Sequence, residues 1–185
     1  PLVMKKKGHE EKAKYLESLF GKIYIGDIIE RNKILHDKSV LDDLLNIISS
    51  SVGSLTNASK ISKTFKSERQ VSISDETVSR YLDFFIDAFM IYKAERYDVK
   101  GRKYIGTETK YYFADIGIRA AILNYRQQEE THIMENIIYN ELRSRRYNVD
   151  VGLVEIGGKD ENGKFVRRQL EVDFVVNRPP YRVYI

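Results

Sequence analysis

Residues 74–97 read SDETVSRYLDFFIDAFMIYKAERY, and this stretch decides the fold. From Val78 to Phe89 the apolar residues recur at helical spacing, and Ser74 is suited to cap the start of that helix. After Met90 the apolar period changes from about 3.6 to 2, which is typical of a β-strand. The stretch therefore predicts a helix that leads directly into a strand.

The flanking sequence extends this pattern into a winged helix. Residues 39–50 carry a broad apolar helical stripe, and residues 57–65 predict a shorter helix before the one at residue 74. On the other side, the turn at residues 98–101 leads into residues 103–113, which are rich in tyrosine and threonine and predict the second strand of a hairpin. Helices with a tight connection, followed by a hairpin, indicate a winged helix-turn-helix.

Composition limits the classes of protein that fit. The 185 residues are 42% hydrophobic and 31% charged, as in ordinary globular proteins. No apolar run approaches about 18 residues and cysteine is absent, so we expect no membrane association and a reducing, cytoplasmic location. The formal charge of +4 makes nucleic acid or an acidic protein a plausible partner.

The remainder of the chain predicts a second unit of helix and sheet. A helix is expected at residues 130–146, followed by strands at residues 147–156 and 165–176 and a third strand that starts at Tyr181. A domain does not end naturally within a strand, so we expect this sheet to be truncated at Ile185. The residues expected to face inward from the helix are Met134, Ile137, Ile138 and Leu142.

Acidic residues in this second unit form the strongest candidate for chemistry. Strand alternation predicts Leu170, Val172, Phe174 and Val176 on one face and Glu171 with Asp173 on the other. Glu135 borders the apolar stripe of the preceding helix, and a helix packed on the sheet would bring it near Asp173. Such carboxylates can bind Mg²⁺, which prefers oxygen ligands and activates water. Alternatively, Glu171 and Asp173 are simply the solvent face of a hairpin.

This layout resembles the PD-(D/E)xK nuclease fold. The resemblance makes Asp173 the first acid and places the acid-x-Lys motif after Ile185. Together with Glu135, which the helix spacing brings near, Asp173 is the candidate catalytic and Mg²⁺-binding residue. The overall expectation is an α+β protein: N-terminal helices and a winged helix-turn-helix, followed by a truncated restriction-endonuclease-like sheet.

Motifs along nearly the whole chain are similar to the C-terminal domain of unknown function that follows the motor in a family of bacterial and archaeal AAA-type ATPases. The motifs are YIGDIIER at 24–31, TVSRYL at 77–82 with DAF at 87–89, YFADIGIR at 112–119, EN at 135–136 with EL at 141–142, and EVDF at 171–174. The resemblance implies an upstream motor that uses ATP and Mg²⁺, a helical lead-in at 1–36, a winged helix at 37–114 and a nuclease-like domain at 115–185.

The chain itself carries no phosphate-binding loop of the ATPase type. Gly101 and Gly106 have the required spacing, but Thr107 and Glu108 replace the lysine and hydroxyl residue that contact phosphate and Mg²⁺. We therefore expect no ATPase activity and no bound cofactor in this chain, apart from Mg²⁺ in a complete nuclease-like domain.

Basic residues around the predicted wing favour contact with DNA. They can grip the phosphate backbone without reading sequence, whereas the helix at residue 74 is largely acidic on its exposed side. The leading hypothesis is a nucleic-acid-binding accessory module of an ATPase. A Mg²⁺-dependent nuclease and a scaffold that docks on the motor or a partner remain alternatives, and an oligomer is compatible with each. The residues expected to contact nucleic acid are Lys60, Lys63, Arg80, Lys93, Lys100, Arg102 and Lys103.

Overall fold

The structure is a computed structural model that describes residues 2–34, 38–126, 129–159, 161 and 164–185. These residues form helices and a mixed sheet, which confirms the α+β class. The α-helices are α1 (Gly8–Lys22), α2 (Lys38–Ser50), α3 (Ala58–Thr64), α4 (Asp75–Asp87), α5 (Ile116–Ile122) and α6 (Glu130–Ser144). The strands are β1 (Ile91–Asp98), β2 (Lys103–Phe113), β3 (Asn148–Lys159), β4 (Phe165–Arg178) and β5 (Tyr181–Tyr184). None of the described helices is long and apolar enough to cross a membrane.

The predicted helix and hairpin are confirmed where local signals are strongest. The Ser74 side chain accepts a hydrogen bond from the Thr77 amide, which caps α4, and Val78 and Phe85 are fully buried on its inner face. The antiparallel hairpin β1–β2 follows, and an isolated bridge joins Thr56 to Thr109 of β2. Helix, bridge, two helices and hairpin follow one another in the order of a winged helix.

The hairpin also belongs to a larger sheet. The strand order is β2-β1-β3-β4-β5, and β1 pairs in parallel with β3, while the other neighbours are antiparallel. Hydrogen bonds therefore cross the boundary expected between residues 114 and 115. The boundary expected between residues 36 and 37 lies outside the described residues.

A bulge in β4 changes which side chains share a face. Asp150 pairs with Val175 and Gly152 with Val172, so three steps on β4 match two on β3. Val172 and Val175 consequently lie on one face, while Phe174 packs near the ring of Tyr112 on the other, at a centroid distance of 6.0 Å. The prediction that Val172 and Phe174 share a face is wrong, because strict alternation fails at the bulge.

Helix α6 faces the sheet with a different side from the one expected. Asn136 and Tyr139 are buried, whereas Met134, Ile137 and Ile138 are 61%, 47% and 38% exposed. Asn136 accepts a hydrogen bond from the Phe113 amide at 2.9 Å and donates one to the Phe113 carbonyl at 2.8 Å. Strand β2 is at the sheet edge, so this amide satisfies backbone groups that lack a strand partner.

The apolar side of α6 instead borders an open cavity of about 440 Å³. Ile137, Ile138 and Leu142 line it together with Val176 of β4 and Val183 of β5. The inward orientation predicted for Met134, Ile137 and Ile138 is therefore wrong. Periodicity located the apolar stripe, but the side of the helix that carries Asn136 and Tyr139 is the one buried against the sheet.

Candidate nucleic-acid interface and a buried charge cluster

Four side chains from three elements form what we call the charge cluster: Lys110 and Tyr112 of β2, Glu135 of α6 and Glu171 of β4. The Lys110 ammonium lies 2.8 Å from Glu135 Oε1 and 2.6 Å from Glu171 Oε1. The Tyr112 hydroxyl donates to Glu135 Oε1 at 2.6 Å. Lys110 is only 4% exposed, so this cation is satisfied inside the protein.

The protonation states of the cluster follow from these contacts. Burial alone lowers the pKa of Lys110, but hydrogen bonds to Glu135 and Glu171, and the charges of both carboxylates, outweigh it and raise that pKa. Burial and the hydrogen bond to Glu135 also raise the pKa of Tyr112 strongly. Lys110 therefore stays an ammonium and Tyr112 a neutral phenol at neutral pH, which suits a fixed ion network better than a nucleophile or base.

The cluster also decides whether the described residues fit a magnesium ion. Glu135 bonds Lys110 and Tyr112, so a positive charge already lies where its carboxylate would hold a cation. Asp173 is exposed, and it is Glu171, not Asp173, that shares the Lys110 ammonium with Glu135. Within the described ranges, no group of three or more His, Cys, Asp or Glu residues is arranged to hold a metal. These residues do not fit Mg²⁺, and a nuclease site that includes residues after Ile185 stays a prediction.

Several of the predicted nucleic-acid-binding residues make contacts within the protein. Lys60 forms an ion pair with Glu108, and Lys93 forms one with Glu95 at 3.3 Å. The Arg80 guanidinium lies 5.4 Å from the ring centroid of Tyr81. These interactions reduce, without removing, the ability of the side chains to meet a phosphate. Lys63 is exposed on α3.

Lys100, Arg102 and Lys103 are all exposed around the β1–β2 turn. Asp98 fixes the turn by accepting hydrogen bonds from the amides of Lys100 and Gly101, at 3.1 and 2.9 Å. This Asx-type contact holds the turn that carries the three basic residues.

The parallel pairing of β1 with β3 places a second hairpin beside this turn. The Val99 amide donates to the Leu153 carbonyl at 2.9 Å, and Lys100 Nζ donates to the Glu155 carbonyl at 3.0 Å. Beyond Glu155, β3 pairs with β4 alone and forms an exposed two-stranded ribbon. Its exposed basic residues are Lys159, Lys164, Arg167 and Arg168.

We call the described residues of the ranges 98–103 and 155–168 together the two-hairpin surface. The sequence of these two ranges holds seven basic residues and four acidic ones, a local excess of three positive charges within a chain whose net charge is +4. Sequence reasoning missed the ribbon half of this surface. Basic residues on both sides of a glycine-rich turn were visible, but nothing local indicated that this turn would lie beside the wing.

Helix α4 contrasts with this surface. The exposed side of the helix carries Asp75, Glu76, Asp83 and Asp87, which phosphate would repel. Asp75 is further engaged by the Ser62 hydroxyl at 2.6 Å. The helix is thus poorly suited to the major groove, where helix-turn-helix proteins place the corresponding helix.

The fold and surface define an α+β protein in which a winged-helix arrangement shares its sheet with further strands and presents a basic double hairpin. Residues 1–129 match the family described as Domain of unknown function (DUF8612), and the chain belongs to that family.

Two longer proteins are similar to nearly all of the chain. An uncharacterized protein from Haemophilus influenzae is 34% identical over 170 residues, which cover 92% of this chain and 39% of that protein. The uncharacterized protein MJ1544 from Methanocaldococcus jannaschii is 29% identical over 166 residues, which cover 89% of this chain and 34% of that protein. The chain thus spans well under half the length of these relatives. No solved structure matches it.

Proposed function

We propose that this chain is a nucleic-acid-binding module that contacts the phosphate backbone through the two-hairpin surface. The observation that carries the proposal is the hydrogen-bonded junction between the two hairpins, which brings two separate groups of basic residues together. Each phosphate contact by a lysine or arginine releases condensed counterions, so such a surface gains affinity without specific base contacts.

The basic residues of this surface are accessible to a ligand. Lys100, Arg102 and Lys103 at the first turn, and Arg167 and Arg168 on the ribbon, are all exposed. The ion pair between Arg167 and Glu155 is long, at 3.9 Å, and both side chains are well exposed, so it offers little competition to a phosphate. The acidic side of α4 disfavours the reading of base edges by this helix, which supports binding through the phosphate backbone of the nucleic acid.

We further propose that the module serves as an accessory part of an AAA-type ATPase. This rests on the motif resemblance, and the lengths of the two relatives are compatible with it, since more than half of each lies outside the matched region. The proposal assigns the nucleic-acid contact to this chain and ATP hydrolysis to the motor.

The test is a titration of labelled duplex and single-stranded DNA at two salt concentrations, read by fluorescence anisotropy. The variant Lys100→Glu/Arg102→Glu/Lys103→Glu should lose at least about tenfold in affinity at low salt, and the slope of log affinity against log salt should flatten by about 2 to 3. A matched variant, Lys5→Glu/Lys7→Glu/Lys22→Glu, makes the same charge change on exposed residues of the N-terminal helical region.

Comparing the affinities of the two variants distinguishes binding by the two-hairpin surface from a general effect of net charge. If both lose affinity equally, the attraction is unspecific and the two-hairpin surface has no special role. If the unmodified chain binds neither DNA form at low salt, the proposed function itself is refuted.

A further inference from the structure

Phe165 is a large apolar side chain that lies outside the hydrophobic core formed by the described residues. It begins β4 at the outer end of the ribbon and is 63% exposed. Every β3 and β4 residue paired with it or next to it, from Gly157 to Lys159 and from Phe165 to Arg168, is exposed or only half-buried. Burial against the described residues therefore does not account for an aromatic residue at this position.

The ring nevertheless has a defined position, because it lies against Gly157. A Cβ atom at residue 157 would come within 2.6 Å of Cζ of Phe165, so a side chain there would displace the ring from this position. One side of the ring thus rests on the β3 backbone, which leaves the rest of it open to solvent. This contact orients the aromatic group before any ligand arrives.

Cations flank the ring on the same face of the ribbon. Lys159 is the cross-strand partner of Phe165, and Arg167 follows two residues later on β4, opposite Gly157. Side chains two apart on a strand point to the same face, so Lys159, Phe165 and Arg167 share one face. The exposed ring offers a surface on which a base can stack. The basic side chains on either side of it can contact the neighbouring phosphates.

We propose that Phe165 is a stacking platform for an unpaired base, so that the two-hairpin surface prefers single-stranded nucleic acid to duplex. The inference rests on the proposed function and adds the class of ligand. Every base has a face that stacks on an aromatic ring, and stacking of this kind contributes without sequence preference. In a duplex the base faces are covered by neighbouring base pairs, so the ring gains nothing there.

The experiment compares Phe165→Ala with the unmodified chain on a 12-nucleotide oligothymidine and a 20-base-pair duplex. We expect single-strand affinity to fall at least about fivefold, duplex affinity to stay within about twofold, and the salt slope of both to be unchanged. Gly157→Ala, which keeps the phenylalanine but displaces its ring, should reproduce the single-strand loss. Phe89→Ala removes a ring that is 74% exposed elsewhere and should change neither affinity.

A direct readout uses the absence of tryptophan from the chain. In Phe165→Trp the introduced indole is the sole tryptophan fluorophore, and oligothymidine should quench it at the same concentrations that saturate the anisotropy signal. Duplex at saturation should leave the emission nearly unchanged.

The outcomes separate this inference from the function on which it rests. Equal losses on both ligands in Phe165→Ala, or no loss on either, would overturn the platform while leaving backbone binding intact. Failure of the unmodified chain to bind either ligand would refute both proposals. Saturation of Phe165→Trp without quenching would show that the ring lies outside the path of the strand.

Discussion

Lys103 and Lys110 belong to the same strand, yet they illustrate two opposite uses of a lysine. Lys103 is exposed at the tip of the first hairpin, where a phosphate could reach it. Lys110, seven positions later, is 4% exposed and bonded to two carboxylates. Lys103 contributes to the positive potential at the surface, whereas Lys110 contributes to the stability of the fold. A count of basic residues in the wing does not distinguish them, because the difference lies in partners from α6 and β4.

The largest change in the free energy of unfolding is expected for the buried lysine, Lys110. Lys110→Met removes the cation between Glu135 and Glu171 and leaves two carboxylates facing each other, which should reduce the free energy of unfolding by about 3 kcal/mol. Partial exposure of Glu171, at 33% of its side chain, keeps the estimate at the lower end for such pairs. Urea denaturation followed by circular dichroism measures the change.

The matched control is Lys103→Met, which replaces the same residue type on the same strand. Its unfolding free energy should stay within about 0.5 kcal/mol of the unmodified chain, because the side chain is exposed. Similar losses in the two variants would mean that the cluster is not the stabilising feature proposed here.

The next effect concerns the neutral member of the cluster. Tyr112→Phe deletes a 2.6 Å hydrogen bond to the Glu135 carboxylate, while Lys110 remains to balance that charge. We expect a loss of about 1.5 kcal/mol at pH 8, as for other hydrogen bonds to charged groups. Urea denaturation again gives the value, and a larger loss than in Lys110→Met would reverse the order of importance assigned to the two groups.

The same variant has a defined pH dependence. Burial and Glu135 raise the pKa of Tyr112 in the folded state above its unfolded value of about 10, so its stabilisation is complete below that pH and declines as pH rises further. Lys110, whose pKa is also raised, loses its contribution in the same alkaline range. The difference in unfolding free energy between the unmodified chain and Tyr112→Phe should therefore shrink from pH 8 to pH 11. A constant difference would contradict the assignment.

Local features of this fold were predictable from the sequence. The cap at Ser74, the buried face of α4 and the β1–β2 hairpin all depend on neighbouring residues, and each occurs as predicted. The acidic exposed side of α4 was likewise visible from spacing alone. The resemblance to an ATPase appendage and to a nuclease stays a prediction.

Features that depend on distant partners were not predictable in the same way. Lys100 and Glu155 are 55 positions apart, and their contact joins the two hairpins. The bulge in β4 has no local signature in the sequence, although it determines the neighbours of Phe174. The spacing predicted Glu135 near Asp173, whereas the structure joins it through Lys110 of β2 to Glu171 of β4, partners that no local pattern indicates.

The smallest change in stability is expected at Asp150, a buried carboxylate that is not paired with a lysine as Glu135 is. Asp150 of β3 is 8% exposed and accepts hydrogen bonds from the Tyr104 hydroxyl at 3.2 Å and from Asn177 Nδ2 at 3.3 Å. Burial raises its pKa, and these hydrogen bonds together with the charge of Arg182 do not compensate fully. Ionised Asp150 therefore costs stability at neutral pH, whereas Glu135 is paired with a cation.

Asp150→Asn keeps an acceptor oxygen and removes the buried charge, so it should stabilise the protein at pH 7 by less than the loss expected for Tyr112→Phe. A carboxyl group whose folded pKa is raised contributes fully below its unfolded pKa, about 4, and progressively less as pH rises through the folded pKa. The advantage of Asp150→Asn over the unmodified chain should thus disappear as the pH is lowered toward 3.5.

Glu135→Gln, measured in parallel, should destabilise at pH 7, because it takes a charge away from Lys110. Opposite signs for these two matched amide substitutions would establish that the partner, and not burial alone, decides what a charge does in this sheet, and equal signs would refute it.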